Sequence, residues 1–118
     1  MTQQDKELLI RDLCARLPYD VKVLYDNKVF SIDYVSSIHE EIKLDTCDNY
    51  TINVSDVKPY LFPLSSMTEE QKKEWFYTLS SDYHITYDTV DWCNKNHFDY
   101  RGLIEKGLAL NATGLNIY

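Results

Sequence analysis

From Val21 onward the apolar side chains change their spacing, and that change restricts the fold more than any other feature of the chain. Val21, Val23 and Tyr25 alternate with Lys22 and Leu24, Asp26-Asn27-Lys28 interrupts them, and the alternation resumes at Phe30, Ile32 and Tyr34. A period of two places every second side chain on the same face of an extended strand. Asp and Asn accept the left-handed conformations of a tight reversal, so the two runs predict a β-hairpin. Two further runs, Ile38 to Leu44 and Tyr50 to Val54, flank the turn-forming Asp45-Thr46-Cys47-Asp48-Asn49. Together they predict a four-stranded antiparallel meander over 21–54 with one wet face, or the same strands curled into a small SH3-like barrel.

Helical spacing brackets these strands. Leu9, Ile10, Leu13, Cys14 and Leu17 recur every three or four residues, which predicts an N-terminal helix over 3–17. Thr2 can cap it, Asp5 suits the positive end of its dipole, and Pro18 stops it. The stretch 57–64 holds Pro59 and Pro63, which argues against a helix or a central strand, so the expectation is an extended connector packed across the core. Thr68-Glu69-Glu70-Gln71 has the form of a reciprocal capping box and predicts a helix to about Ser80. Tyr83 to Tyr87 reads as a short strand or edge. Asp88 is then expected to cap a helix over 89–96, and Asp99 a third helix over 100–106 that ends at Gly107. The fold class is therefore α+β, one domain over 1–118, with two or three C-terminal helices in a helical part spanning 69–107.

Composition narrows the function classes. The chain has 118 residues, 44% of them apolar, and a net charge of −7 with no Lys/Arg run, so direct nucleic-acid binding is not expected. A nucleic-acid-binding barrel is permitted by that fold but opposed by the charge. Three widely spaced cysteines, Cys14, Cys47 and Cys93, lack CxxC spacing and read as reduced thiols. The N-terminal residues mix charges among their apolar positions, and no apolar stretch reaches membrane-spanning length. A cytoplasmic setting without membrane association is the expectation.

The reactive residue types do not assemble into a motif. Cys93 and His97 stand four apart on the predicted second C-terminal helix and could supply half of a zinc site, with Asp99 or His84 completing it. Cys93 or Cys47 could alternatively act as a nucleophile if a histidine lay within reach. Neither set is complete in the sequence, and the three glycines form no phosphate loop, so no catalytic, cofactor-binding or metal residue is assigned. The ten tyrosines are more telling, because tyrosine suits a boundary between apolar packing and a partner. Tyr83, Tyr87, His97, Tyr100 and Arg101 are the candidate interaction surface, while Trp92 and Phe98 are expected to cover the sheet.

The segments LCARLPYDVKV, DVKPYLFPLSSMTEEQKKEW and DWCNKNHFDYRGLIEKGLAL resemble uncharacterised small proteins of prophages and other mobile elements in gut Bacteroidetes. The resemblance implies a mobile-element setting and brings no activity or cofactor with it. The functional expectation is thus an accessory or interaction protein with an unidentified protein partner, one variant of which is an acidic mimic of nucleic acid. A metal-binding or cysteine-dependent enzyme using Cys93 and His97 is the alternative.

Overall fold

The structure, a computed structural model, describes residues 1–46 and 51–118. Helix α1 (Gln3–Arg16) starts as its sequence requires. Thr2 Oγ1 accepts the Asp5 backbone N–H at 3.1 Å, and the Asp5 carboxylate accepts the Thr2 N–H at 3.2 Å. Pro18 falls in the 3₁₀ turn Leu17–Tyr19 that ends the helix. Strands β1 (Lys22–Tyr25) and β2 (Lys28–Ser36) pair antiparallel around Asp26 and Asn27, whose φ angles of 50° and 62° form the two-residue turn that matches strand twist.

Among the described residues, the strands form one open mixed sheet rather than a closed barrel. β2 pairs antiparallel with β3 (Glu41–Leu44), and β3 with β4 (Ile52–Asn53). The third run is shorter at its start than its alternation suggested: Ile38 precedes β3 and is 87% exposed. Cys47, Asp48, Asn49 and Tyr50, from the predicted turn and fourth strand, lie outside the described residues.

The largest correction concerns 57–64. Lys58–Pro63 is a strand, β5, which pairs antiparallel with β1 and parallel with β6 (Phe98–Asp99) and β7 (Leu110–Asn111). Its prolines fall second and last in the strand, and pairing with β1 reaches only Lys58 and Pro59, so missing N–H groups sit near its ends. Between the prolines, Tyr60 and Leu61 are buried.

Helix α2 (Glu69–Thr78) has the predicted box, with Thr68 Oγ1 accepting from Gln71 N at 3.2 Å and Gln71 Oε1 accepting from Thr68 N at 2.8 Å. The predicted strand at 83–87 is instead a reversal, in which Tyr83 takes φ 62° and the Ser80 N–H bonds the His84 carbonyl at 2.9 Å. Helix α3 (Tyr87–Lys95) is capped by Thr86 in place of Asp88. The third C-terminal helix does not form. Asp99 does accept from Leu103 N and Ile104 N at 3.0 and 2.9 Å, but Gly102 adopts φ 74°, which no right-handed helix can continue through.

The core joins both helical and sheet segments. Leu9 and Leu13 of α1, Val23 of β1, Ile42 of β3, Leu61 of β5 and Leu103 belong to one fully buried cluster, each contributing about 1.5–3 kcal/mol by leaving water. Cys14, expected on that apolar face, is exposed, and the neighbouring helical positions Asp12 and Arg16 are buried instead. No helix among the described residues is long and apolar enough to cross a membrane.

Candidate functional site

Helix α2 carries Trp75, Phe76 and Tyr77 in succession. Consecutive helical residues point about 100° apart, so one packing face cannot take all three. Trp75 is half-buried, whereas Phe76 is 50% exposed and Tyr77 is 86% exposed. No residue of α2 is fully buried. The Phe76 ring lies 5.4 Å from that of Tyr83, which the reversal after α2 turns outward. Leu64 and Ile85 are also exposed and extend this surface. Leu64, Met67, Trp75 and Phe76 line a groove of about 390 Å³, and Leu64, Trp75, Ile85 and Val90 line a smaller cavity of about 100 Å³ beside it.

The five residues singled out from sequence separate into two pairs and a single residue. Tyr83 and Tyr87 are exposed at 67% and 91%, near the α2 surface. Tyr100 also lines the smaller cavity, and together with Arg101 it faces a buried charge cluster. Arg16, fully buried, donates from Nε to Asp12 Oδ2 at 2.8 Å and from Nη2 to the Phe98 carbonyl at 2.6 Å. The Tyr100 ring lies between two guanidiniums, 5.3 Å from Arg16 and 5.0 Å from Arg101. Arg101 Nε approaches Asp12 Oδ1 at 3.2 Å, an ionic contact whose alignment is wrong for a hydrogen bond. Burial raises the Asp12 carboxyl, while Arg16 and then Arg101 pull it down.

His97, the fifth, stacks on Tyr118 with ring centroids 3.6 Å apart and planes 10° from parallel. It lies beyond the end of α3 with φ 63°, so Cys93 and His97 do not share the helical face that would make them neighbours. Burial pushes the Cys93 thiol up to about 11, which keeps it protonated at neutral pH. Among the described residues, no three His, Cys, Asp or Glu side chains converge as metal ligands.

Burial, followed by the charge of Arg16, holds His97 down at about 4. Between about pH 6.5 and about 4, His97 therefore binds more protons in the unfolded chain than in the folded one. Stability is expected to fall as pH drops from about 6.5 towards 4, by about 1–2 kcal/mol once solvent screening of the half-buried ring is included. Urea unfolding across this range checks it. His97→Asn, which tolerates positive φ, should flatten the slope relative to wild type, and an unchanged slope would remove His97 as its source.

Sequence reasoning missed the α2 face, although the consecutive aromatics Trp75, Phe76 and Tyr77 carried a signal for it, and the contributions of Leu64 and Ile85 emerge only from the packing of α2 beside α3. Comparison with family models, curated proteins and solved structures finds no match for the chain.

Proposed function

We propose that the chain is a small accessory protein of a mobile element that binds another protein through the apolar face of α2 and the reversal leading into α3. The observation that carries this reading is the exposure of Phe76, Tyr77, Leu64 and Ile85 around a hydrocarbon-lined groove. Water-exposed apolar surface gains free energy when a partner covers it, and aromatic residues commonly anchor such contacts. Glu69, Glu70, Asp82, Asp88 and Asp91 are exposed along the same segment. Lys72 is paired with Glu69 at 3.3 Å. These charges favour a partner with Lys or Arg around its apolar anchors. The net charge of −7 makes a second copy a less suitable occupant. An apolar centre also supports protein docking over mimicry of nucleic acid, for which charge would have to carry recognition.

Affinity capture with wild type, Phe76→Glu and Ile85→Glu tests the reading. Each substitution is expected to weaken a specific partner about tenfold or more, with melting and circular dichroism unchanged because neither side chain is buried. Equal retention by all three proteins would defeat it. Binding should persist as salt rises from about 50 to 500 mM, whereas complete loss would favour the acidic-mimic variant.

A further inference from the structure

The ladder between β1 and β5 stops one rung early. Val23 faces Pro59 and Leu24 faces Lys58, so the same register would next set Lys22 opposite Tyr60. There the Tyr118 hydroxyl stands between the strands. It accepts the Lys22 backbone N–H at 2.9 Å and donates to the Tyr60 carbonyl at 2.7 Å. A hydroxyl can take both roles at once, which a carboxylate or an ammonium group cannot.

The rest of the tyrosine is matched as closely. One wall is the His97 ring, stacked as described above, and another is Phe62, whose centroid lies 5.8 Å away with the planes tilted by 53°. Burial pushes the phenol up to about 12, so it retains the proton it donates. The residue as a whole is 41% exposed, while its hydroxyl is engaged on both sides. The connecting residues Thr113, Gly114, Leu115 and Asn116 are exposed and held by local turns, with Thr113 N bonded to Asn111 Oδ1 at 2.9 Å and Leu115 N to Ala112 O at 3.2 Å.

We propose that the Lys22 N–H, the Tyr60 carbonyl and the rings of His97 and Phe62 form a phenol-recognition slot, which Tyr118 occupies as a releasable strap. The ligand class is a phenol, because the slot pairs aromatic walls with one donor and one acceptor spaced for a single hydroxyl. A phenylalanine ring would meet the same walls but leave the two backbone groups without their shared partner. When Tyr118 swings out on its exposed tether, a tyrosine from another chain meets the same groups. This slot is separate from the α2 surface and does not depend on the reading given for it.

Amide hydrogen exchange followed by NMR tests both parts. In the wild type the Lys22 amide should exchange faster than that of Leu13 in the core, through an opening smaller than global unfolding. Tyr118→Phe, which keeps the ring, should speed Lys22 exchange about tenfold, the equivalent of one hydrogen bond, without changing Leu13. In Tyr118→Ala, p-cresol should restore Lys22 protection and toluene should not. An unaltered Lys22 rate in Tyr118→Phe, or p-cresol no better than toluene, overturns the slot. Lys22 exchange as slow as Leu13 in the wild type overturns the release. Tyr118→Phe alone decides the hydroxyl's role if Tyr118→Ala fails to fold.

Discussion

Replacing Arg16 with alanine is expected to destabilise the protein by about 3–5 kcal/mol, measured by urea unfolding at pH 7. The loss has two parts. Asp12, fully buried, would lose its bidentate-free but direct bond to Arg16 Nε and keep only the misaligned approach of Arg101. The Phe98 carbonyl would also lose its 2.6 Å donor, leaving an acceptor in a dry interior. The damage comes from groups left behind, so removing both charges should be milder than removing one. Asp12→Leu combined with Arg16→Met is expected to recover the part of the loss that comes from Asp12, while the Phe98 carbonyl stays without its donor. A double variant as unstable as Arg16→Ala would show that the loss comes from the Phe98 carbonyl and from packing, not from the stranded Asp12 carboxylate.

Phe98→Ala is expected to cost about 3–5 kcal/mol, again by urea unfolding. Phe98 is 1% exposed, stacks on Trp92 at 5.4 Å with planes 5° apart, and lies 5.9 Å from Phe62. Truncation would open a cavity where α3, β5 and β6 meet, and the short β6 has little other surface with which to collapse into it. Phe98→Leu, which retains more of the volume, should lose clearly less. A loss below about 1 kcal/mol for the alanine variant would mean that the aromatic stack closes over the gap.

These interior contacts show where sequence reasoning succeeded and where it stopped. Thr2 and Asp5, Thr68 and Gln71, and the Asp26-Asn27 turn are local devices whose partners are a few positions away, and all were readable. Arg16 was not, because its acceptors Cys93 O and Phe98 O are 77 and 82 positions distant. A charged residue on an amphipathic helix normally marks the wet face, and apolar spacing put Cys14 inside, whereas the fold buries Asp12 and Arg16 and exposes Cys14. The two prolines of β5 misled in another way: they forbid donors only at their own positions, and the strand uses the positions between them. For the candidate site, composition revealed surplus aromatics but not their direction. Tyr83 and Tyr87 point to water, whereas Tyr100 is held between two arginines by long-range packing.

The mixed pairing of β5 also has a consequence for the growing polypeptide. Its first two residues find β1 already synthesised, yet the neighbours of Tyr60, Leu61, Phe62 and Pro63 are encoded 35 or more positions downstream, at 98–99 and 110–111. For that interval of translation the most apolar part of the strand has no sheet neighbour from its own chain, so the nascent protein carries an open seam that only the arrival of its final quarter can close.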